Sequence, residues 1–86
     1  MPKVSEFFGI SVYMYYRDHA PAHFHAMYAG SEVLIALDSL AVLRGHLPPR
    51  AMGLVIEWAD IRRKELHKVW DQAQVGQRLD KIDPLR

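Results

Sequence analysis

The chain of 86 residues is half hydrophobic and about a quarter charged, which is typical of a small globular protein, and we expect residues 1–86 to form a single domain. It has no cysteine, no apolar run near the roughly 20 residues of a membrane span and no signal-peptide pattern, so we expect a cytoplasmic protein without a membrane partner. The net charge of +1 does not support nucleic acid as a partner, although it leaves that possibility open.

The first half of the chain predicts an antiparallel β-meander. Apolar and polar side chains alternate with the period of two that is typical of a strand with one buried face. Short polar or glycine-containing segments separate the alternating runs, and such short connections join antiparallel neighbours. The pattern predicts three strands and a weaker fourth, over residues 9–16, 23–28, 32–37 and 40–44.

The second half predicts one long helix followed by an extended tail. Pro49 suits a first helical position, and Gly76 suits the residue that follows a helix. Between them the apolar residues recur at helical spacing, and this stripe thins at residues 62–64, where we expect a kink. Asp83-Pro84 excludes further helix in the tail, which we expect to dock on the core. The predicted fold class is α+β, with the helix covering one face of the sheet.

Three of the five histidines, His19, His23 and His25, lie within seven residues. Alternate residues of a strand project from the same face, so the side chains of His23 and His25 can converge on one metal ion. His19 or Asp18, from the preceding loop, would supply a third ligand and leave an open coordination position, as in catalytic zinc sites. The sequence therefore predicts a candidate site for a divalent metal such as zinc.

The same residues also fit acid–base catalysis without a metal. One histidine would take a proton from a ribose hydroxyl while a second protonates the leaving oxygen. Arg17, or Arg44 from the fourth predicted strand, would neutralise the phosphate through its planar set of donors. In this interpretation the candidate catalytic residues are His19, His23, His25, Arg17 and Asp18.

Arg62 falls near the middle of the apolar stripe of the predicted helix. An unpaired charge in a core is costly, so Arg62 must either be solvated or bind an acidic side chain. Asp18 and Asp38 are the candidates within the chain. We expect the first alternative, in which this part of the helix projects beyond a small sheet.

The most specific motif is D-H-x-P-x-H-F-H, within the stretch M-Y-Y-R-D-H-A-P-A-H-F-H at residues 14–25; its residues are Asp18, His19, Pro21, His23, Phe24 and His25. Together with F-F-G-I, L-P-P-R-A, E-W-A and the I-D-P-L ending, it resembles a small bacterial family known as domain-of-unknown-function family 4160. In that family the helix position of Arg62 is usually histidine, so this chain departs from the pattern there. The resemblance implies no established activity, but it implies a neighbouring short gene, an arrangement similar to toxin–antitoxin pairs.

Two functions therefore remain open. The first is a protein-interaction or regulatory module that binds a small protein encoded nearby, or a second copy of itself. It would use the sheet face with Tyr13, Tyr15, Leu34 and Ala36, which one helix layer leaves uncovered. The second is a histidine-dependent enzyme, either an RNA-cleaving toxin or a metal-binding hydrolase, that uses the cluster of His19, His23 and His25.

Overall fold

The fold was obtained as a computed structural model, which describes residues 2–86. Those residues form one antiparallel sheet of five strands in sequential order, followed by two helices and a tail without regular secondary structure. The strands are β1 (Lys3–Phe7), β2 (Ile10–Tyr13), β3 (His23–Tyr28), β4 (Ser31–Ala36) and β5 (Val42–Gly45), and the helices are α1 (Pro49–Ile61) and α2 (Arg63–Gln74).

The α+β class and the meander are confirmed, but the expected number of strands, three or four, was wrong. The additional strand is β1, which pairs with β2. Its register shifts between Lys3 and Ser5, so Val4 and Ser5 are both buried and the alternation of period two is lost. The predicted strand at residues 9–16 is also shorter, because β2 ends at Tyr13 and a loop follows.

The prediction of one long helix was also wrong, since the helix is divided at Arg62. The break lies within the segment where the kink was expected. Arg62 leaves helical geometry at φ −104° and ψ 23°, although its N–H still donates to Trp58 O and its carbonyl accepts from Leu66 N. Gly76 has a φ of +73° just after α2, which agrees with its predicted role as the residue after the helix.

The core lies between the helices and one face of the sheet, which we call the inner face. Phe24 in β3 and Trp58 in α1 are both fully buried, and their ring centroids lie 5.9 Å apart. The tail also packs here: Ile82 is buried, and its N–H donates to Val4 O. In residues 2–86, neither helix has the length and apolar character needed to cross a membrane.

The opposite face of the sheet, the outer face, is less open than one helix layer would leave it. Ala36 is buried, and Tyr13, Tyr15 and Leu34 are only partly exposed. The most exposed part of the sheet is β5, in which all four residues are exposed. Within the sheet, the most exposed surface therefore lies at this edge rather than over the outer face.

Candidate metal centre

Three side chains converge at one end of β3 on the outer face. His23 and His25 alternate with the buried Phe24, so their rings leave the strand on the side opposite to the core. Asp18 approaches from the loop between β2 and β3. Its Oδ2 lies 3.0 Å from His23 Nε2 and 3.4 Å from His25 Nε2. These three residues form a group whose potential ligand atoms all lie within 4.8 Å of one another.

The other ring nitrogen of each histidine is also engaged. His23 Nδ1 lies 2.7 Å from the carbonyl oxygen of Pro21, and His25 Nδ1 lies 3.1 Å from Oε2 of Glu32. A carbonyl and an ionised carboxylate can only accept hydrogen bonds, so both Nδ1 atoms must carry the proton and donate it. In a neutral imidazole the Nε2 atom then has no proton and carries a lone pair.

This assignment has a direct electrostatic consequence. Two Nε2 lone pairs facing one carboxylate oxygen at 3.0 and 3.4 Å would repel it, because none of the three atoms has a proton to share. The contacts are favourable only with a positive charge between the atoms. That charge is either an added proton on each ring or a metal cation bound by all three atoms.

Asp18 is held from two sides. The backbone N–H of His19 donates to its Oδ1 at 2.9 Å, and the side-chain amide of Gln74 in α2 donates to its carbonyl oxygen at 3.2 Å. Burial raises the pKa of the Asp18 carboxyl, but the backbone hydrogen bond from His19 and, when their rings are protonated, the interactions with His25 and His23 outweigh it and hold the pKa below its usual value. The carboxylate is therefore ionised at neutral pH and available as a ligand.

Two aromatic rings border the centre. The ring of Tyr15 meets His25 edge-on at a centroid distance of 4.4 Å, and Trp70 of α2 lies 5.4 Å from His23. Burial raises the pKa of the Tyr15 phenol, and the neighbouring Glu32, Tyr13 and Asp18 raise it further, so the hydroxyl stays protonated at neutral pH. These rings restrict the orientations of the imidazoles and reduce the contact of the cluster with water.

The predicted site residues do not all come together. His19 is exposed, and its backbone rather than its ring contacts Asp18. The guanidinium of Arg17 lies against Gly76 at the end of α2, while the Arg17 N–H donates to Ala73 O.

Arg62 binds neither of the acids proposed for it, Asp18 or Asp38. Its Nη1 instead lies 3.3 Å from Glu65 Oε2, and about a quarter of its side chain is exposed. The position at which the family pattern usually has histidine therefore contributes nothing to the cluster of Asp18, His23 and His25.

Glu32 is the participant that the sequence analysis missed. The sequence pattern predicts Glu32 only as the first residue of a strand, whereas in the structure its carboxylate accepts a hydrogen bond from His25. The turn between β3 and β4 contains only Ala29 and Gly30, and this two-residue turn pairs His25 with Leu34 and Met27 with Glu32. A hairpin drawn with that turn would have placed Glu32 diagonally opposite His25.

A comparison with protein families gives one match. The profile of "Domain of unknown function (DUF4160)" aligns with residues 9–71, well over half of the chain. The protein belongs to this family. The matched region contains Asp18, His23, His25 and Glu32 and stops before the tail. No curated protein and no solved structure matches the chain.

Proposed function

We propose that this member of the DUF4160 family binds a divalent transition metal, zinc in the first instance, through Asp18, His23 and His25, and that the centre promotes hydrolysis. The observation that carries this proposal is the pair of imidazoles whose Nε2 atoms face the same carboxylate oxygen. Two histidines and one carboxylate are a common ligand set of catalytic zinc.

The distances support a single shared ion. Metal–ligand bonds of about 2.0–2.1 Å in a tetrahedral site put the ligand atoms about 3.3 Å from each other. The two distances from Asp18 Oδ2, 3.0 and 3.4 Å, lie on either side of that value. Two edges of the site therefore fit a tetrahedral ion, and binding would bring the two Nε2 atoms, which lie within 4.8 Å of each other, to the same separation.

The hydrogen bonds around the ligands also favour this function. Histidines that bind metals usually donate their second ring N–H to a carbonyl or a carboxylate, which orients the ring and increases its basicity. His23 uses the carbonyl of Pro21, and His25 uses the carboxylate of Glu32. Three protein ligands leave a position for water, whose pKa such an ion lowers towards neutrality.

Metal binding is tested by calorimetric titration with zinc and by the zinc content after dialysis. We expect one zinc per chain in the wild type. Removing a ligand in Asp18→Asn or His25→Ala should weaken zinc binding at least as much as the 10- to 100-fold loss that follows removal of a hydrogen-bonding partner of a ligand. The substitution Glu32→Gln should produce a loss within that range.

The matched control is His19→Ala, which removes an exposed imidazole one residue from Asp18. It should leave zinc affinity unchanged, because the contact to Asp18 comes from the His19 backbone. Equal losses in His19→Ala and His25→Ala would contradict the proposed ligand set. A wild type that binds no zinc would contradict the proposed metal centre and favour the metal-free acid–base alternative.

The exposed edge of the sheet favours a second candidate function, which is binding of a protein partner by strand addition. Val42 and Leu43 in β5 are 49% and 45% exposed, whereas the opposite edge at β1 is contacted by the tail. A second copy of the chain, or a small protein encoded nearby as in a toxin–antitoxin pair, would add a strand there. Sedimentation over a concentration series and co-expression with the neighbouring gene test it, and a strict monomer with no co-purifying partner would contradict it.

A further inference from the structure

Arg44 lies on the same sheet face as the candidate metal centre, and a local irregularity of β5 puts it there. Val42 pairs with Ile35. The hydrogen bond from Ala36 N to Ala41 O, beside the turn between β4 and β5, keeps the same register. Regular pairing from that point would set Arg44 opposite Val33, whose side chain is in the core. The register instead shifts by one residue, and Arg44 pairs with Leu34 on the outer face.

The next residue maintains this arrangement. Gly45 has a φ of +79°, and a Cβ at this position would overlap the carbonyl oxygen of Glu32. The chain therefore passes closer to β4 than any residue with a side chain would allow. The shifted register and the close approach together keep Arg44 directed to the outer face.

Arg44 in β5 lies two strands away from His25 in β3, and Leu34 in β4, between them, pairs with both residues. Adjacent strands lie about 4.8 Å apart, so the Cα atoms of Arg44 and His25 are separated by about 10 Å. A long arginine side chain and a small bound anion can together span that distance. Within residues 2–86 the Arg44 side chain forms no ion pair or hydrogen bond, whereas Lys3, in the same cross-strand row, is paired with Glu6. Arg44 is therefore an uncommitted cation beside the cluster.

We propose that Arg44 binds the phosphate group of a phosphoester substrate and holds its phosphorus next to the water at the open position of the metal centre. This inference rests on the proposed metal-dependent hydrolysis. The planar set of guanidinium donors matches phosphate, and a divalent ion in the centre balances the charges of Asp18 and Glu32, so Arg44 leaves the bound site attractive to an anion. In the hydrolysis of such an ester, a water oxygen forms the new bond to phosphorus, the ester P–O bond breaks, and the water proton passes to the leaving oxygen.

The test is calorimetric binding of inorganic phosphate, and separately of a diribonucleotide, to the zinc-loaded protein. Inorganic phosphate represents the terminal group of a phosphomonoester, and the diribonucleotide represents an internal phosphodiester. We expect the zinc-loaded wild type to bind at least one of them and the metal-free protein to bind neither. Arg44→Gln should weaken that binding tenfold or more without changing zinc affinity, and Arg44→Lys should recover part of it.

The matched control is Arg50→Gln, which removes one arginine charge beside Phe8 and Tyr28, away from the cluster. It should leave phosphate affinity unchanged. If the wild type binds zinc but neither anion, or if Arg44→Gln binds the anions as well as the wild type does, the proposed role of Arg44 is wrong while the metal centre stands. If the wild type binds no zinc, the proposed function fails, and the role of Arg44 fails with it.

Discussion

The two faces of β3 place opposite demands on adjacent residues. Phe24 and Ala26 on the inner face are fully buried among apolar side chains, so they require volume and shape. His23 and His25 on the outer face have both ring nitrogens in polar contacts with named partners, so they require specific atoms at specific positions. The alternation of side chains along this six-residue strand therefore separates residues of the core from the candidate metal ligands. Substitutions on the two faces should therefore have different consequences.

The largest expected effect comes from the inner face. Phe24→Ala should destabilise the fold by about 3–5 kcal/mol, because it leaves a cavity against Trp58. On the outer face, His25→Ala removes hydrogen bonds of a partly exposed ring and should cost about 1 kcal/mol. Urea unfolding of both variants in metal-free buffer measures the difference, and equal losses would contradict the separation of the two faces.

The next effect is specific to the outer face. Zinc at 100 times its dissociation constant should stabilise the wild type by about 2.7 kcal/mol, because it binds the folded state. In Asp18→Asn, with at least tenfold weaker binding, the same zinc concentration should give about half of that gain or less. Thermal unfolding with and without zinc measures both values. A gain in Asp18→Asn as large as that of the wild type would contradict a role for the carboxylate.

The third test concerns the close approach of β5 to β4 at Gly45, which keeps Arg44 on the outer face. Gly45→Ala should destabilise by more than Gly30→Ala, although both residues have a positive φ. Alanine at Gly30 would meet no atom within 4 Å and should cost about 1–2 kcal/mol from its backbone conformation alone. Alanine at Gly45 adds the overlap with Glu32 O. Urea unfolding compares the two variants, and similar costs would show that the approach of β5 to β4 is not close.

The smallest expected effect is on the pH dependence of stability and comes from Asp80 in the tail. It measures how much of the loss of stability in acid arises away from the candidate metal centre. Hydrogen bonds from Gln72 and Lys68 lower the pKa of Asp80. Because its pKa is lower in the folded state, Asp80 contributes stability above its unfolded pKa of about 3.9 and loses it as pH falls through the folded pKa. The unfolding free energy of the wild type should therefore decline more over this acid range than that of Asp80→Asn. Parallel curves would contradict the contribution.

The regular parts of the fold could be predicted from the sequence, and the irregular parts could not. Alternation of period two is sufficient to place His23 and His25 together and away from Phe24, and it is lost wherever a register shifts. The shift between Lys3 and Ser5 concealed β1, and the shift before Arg44 changed the face of that residue. The separation of His19 from the cluster depends on the path of the loop, for which the sequence has no periodic signal.

The central claim is that His23 and His25 carry the proton on Nδ1 and present Nε2 to a shared ion. Long-range ¹H–¹⁵N correlation spectra of the histidine rings, recorded before and after one equivalent of zinc, test it most directly. The account predicts that in the zinc form both rings have a protonated Nδ1 and a metal-shifted Nε2, while His19, His46 and His67 are unchanged. Zinc bound through Nδ1, or spectra of His23 and His25 that do not respond to zinc, would contradict it.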